Sequence, residues 1–172
     1  MSESHAGPPG TPMITIRRAH PRDLETIVDF NVRLADESEG VELDRDRLRS
    51  GVANALADER RAFYLIAESD GAPIGQLMIT YEWSDWRDGE FWWLQSVFVR
   101  PEFRRQGVLK ALYGRVLELA DERNVCGIRL YVERENVAAK AAYESFGITA
   151  AVFEMHEHDF VIQRGPDHAS SE

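Results

Sequence analysis

Apolar positions along the chain switch between a period of two and a period near 3.6, and the switches mark out the elements. Ile14–Arg18 alternates as a short strand, and Pro21-Arg22-Asp23 opens a helix striped by Leu24, Ile27, Val28 and Leu34. A second helix is predicted over Asp44–Ala57, with Leu48, Val52, Ala55 and Leu56 on one side, after an aperiodic approach from Asp36 to Asp46. Phe63–Ala67 reads as a strand and Asp70-Gly71-Ala72-Pro73 as a turn. Ile74–Trp83 and Phe91–Val99 then follow as antiparallel strands around the polar turn Ser84–Glu90. After Gly107 the helical period returns through Leu109, Leu112, Tyr113, Val116, Leu117 and Ala120. Ile128–Val132 is the next strand, so Phe91–Val132 forms a strand–helix–strand unit, whose strands are normally parallel. Asn136 reads as an N-cap to a short helix burying Ala139, Ala142, Tyr143 and Phe146, with Gly147 ending it. Thr149–Ile162 is predicted to supply one or two final strands. The sum is a mixed, mostly antiparallel α/β sheet with one βαβ unit and helices on both faces.

Composition places this pattern in a single globular domain over residues 13–164. With 172 residues, 44% of them hydrophobic, the chain can bury a full core. Residues 1–12, rich in Gly and Pro, read as a disordered leader without the basic start and apolar core of a secretory signal, and 165–172 read as a polar tail. No apolar run approaches the ~20 residues of a membrane-spanning helix, so no membrane partner is expected. One cysteine, Cys126, is read as a buried structural thiol in a reducing cytoplasm. The formal net charge of −10 argues against nucleic-acid binding and suits a cationic substrate.

Against that acidic balance, Arg100, Arg104, Arg105, Lys110 and Arg115 crowd one segment, opposed there only by Glu102. The segment runs from an apolar strand through Pro101 and a basic loop at Gly107 into a helix. Free backbone N–H groups and the positive end of a helix dipole make such an entry an anion site, and phosphate is its common occupant. His156 and His158 share a strand face, but no third ligand has metal-site spacing, so no metal is expected.

Two motifs in this order resemble the GNAT superfamily of N-acetyltransferases. The first is Arg104-Arg105-Gln106-Gly107-Val108-Leu109 at a strand-to-helix junction. The second is Leu130–Asn136 followed by Ala139, Tyr143 and Phe146-Gly147-Ile148. The resemblance covers Ile14 to Phe160 and implies the GNAT fold, with acetyl-CoA in a gap where the strand before the loop parts from the strand Ile128–Val132. It implies that the backbone of Val97, Phe98 and Val99 bonds the pantetheine arm. It implies too that the amides of Arg105, Gln106, Gly107, Val108, Leu109 and Lys110 would cradle the pyrophosphate, with Arg104, Arg105 and Lys110 adding charge. By the same resemblance Asn136 and Ala139 would complete the cofactor site, and Tyr143 would hydrogen-bond the departing thiolate. A strand-end N–H would stabilise the oxyanion. Where Leu109 stands the family has Gly or Ala, which lets the backbone approach the phosphates.

The implied activity is direct acetyl transfer to a primary amine of a small molecule or peptide within a ternary complex. A catalytically silent acyl-CoA-binding or regulatory module on the same fold is the alternative, supported by Leu109 and by the missing base. Several family members carry a catalytic Glu on the strand before the loop, and that position here is Trp93. Glu90 and Glu82 are the nearest substitutes, with Glu133 or a water chain as others. The four tryptophans 83, 86, 92 and 93 surround one turn and could hold a cation. Trp92 and Trp93 point to opposite faces of their strand, so at most one serves that purpose. The resemblance also admits a homodimer.

Overall fold

The structure is a computed structural model that describes residues 13–162. The leader and tail read from the sequence lie outside these residues. The elements run β1 (Ile14–Arg18), α1 (Leu24–Glu39) entered through a 3-10 turn at Pro21–Asp23, α2 (Arg45–Ala57), β2 (Ala62–Ser69), β3 (Ala72–Ser84), β4 (Gly89–Val99), α3 (Val108–Glu122), β5 (Gly127–Arg129) and α4 (Val137–Ser145). The sheet order is β1-β2-β3-β4-β5. Its first four strands pair antiparallel and β5 pairs parallel with β4, as the strand–helix–strand reading predicts. The chain divides into two compact units, one ending at Tyr131 and one starting at Val132, so the whole sheet lies in the first.

Alternation along the strands sends apolar side chains to both faces. On one face α1 and α2 pack Ile27, Val28 and Val52 against Tyr64 and Ile66, with Leu24, Leu48, Ala55, Leu56 and Met78 at its margin. Asp44 is the cap of α2 rather than its first residue, its carboxylate accepting from the amides of Asp46 and Arg47. On the other face α3 buries Val108, Leu112, Tyr113, Val116, Leu119 and Ala120. Leu117, expected on the buried stripe, is 47% exposed. The inward face starts at Val108 and repeats through 112, 116, 119 and 120, which turns position 117 to the outer flank. Trp92 is fully buried on the α3 side, edge-on to Phe63 at 5.4 Å, while Trp93 faces the other way and is half-buried.

Three further expectations are corrected. The strand Ile128–Val132 is only Gly127–Arg129, because its ladder with β4 stops at the Trp93–Arg129 pair, just before β4 bulges. Thr149–Ile162 forms no strand: residues 149–162 are exposed throughout, and Asp159 instead turns the chain by accepting from the amides of Val161 and Ile162. An alternating pattern supplies propensity, but a strand also needs an edge to satisfy its N–H and C=O groups. Cys126 is half-buried rather than buried, because it lies before β5 and beside Gly89 at the margin of the sheet.

Candidate cofactor and active site

The basic loop starts where β4 ends. A 3-10 turn, Pro101–Phe103, follows Arg100, and the chain then takes left-handed conformations at Arg105 (φ 62°) and Gly107 (φ 85°). Gly107 is the residue before α3 and has no side chain to cap it. Within the helix the amide of Ala111 is bonded to the carbonyl of Gly107 at 2.9 Å, so the amides of Val108, Leu109 and Lys110 precede the first helical bond. Val108 is buried and Leu109 half-buried, while Arg105, Gln106 and Lys110 are exposed. Leu109 thus directs part of its side chain into the protein and leaves its amide at the helix entrance.

The expected cations divide. Arg104 is engaged: Nε donates to the carbonyl of Val99 at 2.9 Å and the guanidinium pairs with Glu37 of α1. Arg100 pairs with Glu102 at 2.5 Å. Among the described residues neither Arg105 nor Lys110 forms an ion pair, so these two are the cations the loop offers an anion.

Upstream of the loop, β4 carries an extra residue. Met78 pairs with Gln95 and Gln76 with Phe98, leaving Ser96 and Val97 opposite Leu77 alone. This is a β-bulge, and Ser96 sits at φ 49°. Beyond Trp93 no described strand pairs with the outer edge of β4, and the stretch from Leu94 to Val99 leaves the parallel ladder behind. The backbone of Val97, Phe98 and Val99, expected to take the pantetheine arm, belongs to this stretch.

On the α1/α2 face beside the bulge lies a polar cluster that sequence reasoning missed, apart from Glu82 and Trp93. Glu82 accepts from Trp93 Nε1 at 2.5 Å and from Arg129 at 2.6 Å. Gln95 donates to the Thr80 hydroxyl at 2.6 Å and accepts from Tyr131 at 3.3 Å, and the Trp93 and Tyr131 rings lie 5.8 Å apart. The Trp93 N–H and then the Arg129 guanidinium hold the Glu82 carboxyl below the usual carboxylate range. Glu90 pairs with Trp83, one position along from the Glu82–Phe91 pair, and so turns to the opposite face. It is exposed, as are Glu133 and the remote Trp83 and Trp86.

The second unit carries the other motif. Asn136 caps α4, its side chain accepting from the amide of Ala139 at 3.0 Å. Ala139, Ala142, Tyr143 and Phe146 form one half-buried helix face, as their spacing predicts, although none is fully buried. Burial raises the Tyr143 phenol above its ordinary value. That leaves it a poor acid towards a thiolate and suits it to hydrogen-bond donation. His156 lies near Glu154 and His158 stacks on Phe160, and no cluster of three metal-ligating side chains occurs among the described residues.

A bulge leaves little signal in a sequence. The one trace here is Gln76, a polar residue inside the apolar run Ile74–Ile79.

The acetyltransferase (GNAT) family profile matches residues 25–148. An uncharacterized N-acetyltransferase of Archaeoglobus fulgidus is 30% identical over 131 residues, covering 76% of this chain and 89% of its own. The thialysine N-epsilon-acetyltransferase of Caenorhabditis elegans is 24% identical over 133 residues, 77% of this chain and 79% of its own. A possible acetyltransferase from Clostridium difficile 630 has a solved structure with 45% identity and a TM-score of 0.79, covering 87% of this chain and 99% of that one. With the sheet order, the parallel β4–β5 pair and the loop into α3 alongside these matches, the chain belongs to the GNAT family of acetyltransferases.

Proposed function

We propose that the protein transfers an acetyl group from acetyl-CoA to a primary aliphatic amine by direct attack in a ternary complex. The observation that carries this reading is the continuity of β4: one strand supplies a bulged, unladdered edge and then runs into a loop opening the N-terminus of α3. An extended pantetheine arm fits such an edge as an added strand would. The pyrophosphate fits the amides of Val108, Leu109 and Lys110, with Arg105 and Lys110 for charge. The thialysine acetyltransferase among the relatives supports an amine on a flexible aliphatic chain.

The acceptor approaches over the Trp93 face, where indole and carboxylate offer an ammonium group both π-density and negative charge. Glu82 stays ionised there, so it draws the amine in and steadies its charge. The proton lost before attack passes to water. The neutral nitrogen then attacks the acetyl carbonyl, its second proton passes to water as the amide forms and the C–S bond breaks, and CoA leaves as a thiolate to which Tyr143 donates a hydrogen bond. Cys126 takes no part, because its thiol is bonded to the carbonyl of Glu90 at the sheet margin. The lone cysteine supports a cytoplasmic location, and light scattering would test a homodimer.

A panel of primary amines, followed by release of free CoA, tests the assignment. Glu82→Gln is expected to lower kcat/KM about 10- to 100-fold for an accepted amine, Tyr143→Phe to lower kcat by a similar factor, and Glu90→Gln to change neither more than about twofold. A Glu90→Gln loss larger than that of Glu82→Gln would move the acceptor to the other face. The silent-module reading, favoured by Leu109 and by Trp93 in place of a base, requires acetyl-CoA binding with no CoA released for any amine.

A further inference from the structure

Gln76 is fully buried in the middle of β3, on the α1/α2 face beneath the bulge of β4. Its amide nitrogen donates twice, to Asn31 Oδ1 of α1 at 3.1 Å and to the carbonyl of Ser96 at 3.3 Å. Two acceptors on the same side fix which end of the carboxamide is nitrogen. The phenol of Tyr64, buried on β2, shares hydrogen bonds with the side chains of Asn31 and Ser96, so four polar residues close on one point. Among the described residues the oxygen of Gln76 is buried without a hydrogen-bond partner. Such an acceptor works against folding, and an apolar side chain would fill the place without that penalty.

The network grips the least comfortable residue of the strand. Ser96 holds a left-handed conformation that residues other than glycine seldom adopt, and such conformations persist only where the surroundings over-determine them. Because the peptide group is planar, fixing the Ser96 carbonyl also fixes the orientation of the Val97 N–H. We propose that Gln76, with Asn31 and Tyr64, is a positioning clamp that holds Ser96 in the bulge and thereby sets the Val97–Val99 edge for the acyl-pantetheine. The clamp rests on the acetyl-CoA reading of β4 and adds to it the residues that hold the edge in shape. It touches neither the pyrophosphate loop nor the reacting atoms.

The test compares two ligands on purified protein by calorimetry: acetyl-CoA, and 3′-phospho-ADP, the half of the cofactor that lacks the pantetheine arm. In Gln76→Met, acetyl-CoA affinity is expected to fall at least about tenfold while 3′-phospho-ADP affinity stays within about twofold. Adding Ser96→Gly, which relieves the left-handed strain, is expected to restore most of the loss. Tyr64→Phe removes a single hydroxyl, is expected to lose about threefold for acetyl-CoA alone, and decides the matter if Gln76→Met does not fold. Equal losses for both ligands, unchanged acetyl-CoA binding in Gln76→Met, or no recovery with Ser96→Gly would overturn the clamp. Folded wild-type protein that ignores acetyl-CoA would overturn the acetyltransferase reading instead.

Discussion

Arg17 joins three parts of the first unit through its side chain. Its guanidinium meets the carboxylate of Asp23 at 2.7 and 2.8 Å and that of Glu68 at 2.7 Å, linking β1 to the turn before α1 and to β2. Asp23 is 5% exposed and also accepts from the amide of His20. Arg17 foremost, and then the His20 amide, hold the Asp23 carboxyl below its ordinary value. A carboxyl with a depressed folded pKa adds stability above its unfolded pKa of about 4, and that stability is lost as pH falls through the folded value. Asp23→Asn should therefore cost about 2 kcal/mol at pH 7, a partly exposed arginine moderating the penalty for a broken buried pair. Urea melts of the two proteins should converge as pH falls through the depressed folded value of Asp23. Equal stability at pH 7 would show that the pair contributes nothing. Little of this was legible beforehand. Arg17 and Asp23 are six positions apart and look like ordinary surface residues, and only the fold brings Glu68 to them.

At the scale of elements, the parallel strand β5 sets where the outer edge of β4 loses its strand partner among the described residues. Gly127 lies opposite Phe91, and a Cβ there would overlap the Phe91 ring. That ring is also covered by the Arg129 guanidinium at 3.8 Å. Gly127→Ala should force the ring or β5 aside and cost about 1–3 kcal/mol, read from the thermal midpoint. A midpoint unchanged from wild type would mean that the pair has room to give. The order and type of the elements through α4 were legible because the apolar positions change period from one element to the next, with turn residues between them. The bulge, the early end of β5 and the absence of a strand over 149–162 were not. Each depends on which backbone groups find partners, and a run of side chains carries little record of that.

For the whole molecule, the asymmetry of charge was legible and its fine structure was not. The sequence showed a basic loop on a chain of net charge −10. The folded protein divides that loop, committing Arg104 to Glu37 and Arg100 to Glu102 and leaving Arg105 and Lys110 beside the α3 amides. In the proposed function this junction binds the pyrophosphate of acetyl-CoA. Calorimetric titration of wild-type protein and the Arg105→Glu variant with acetyl-CoA decides whether it does. A dissociation constant in the micromolar range, about −8 kcal/mol, weakened at least tenfold in the variant, is the expected result. Equal affinity in the two proteins, or no binding to folded wild type at millimolar acetyl-CoA, would contradict it.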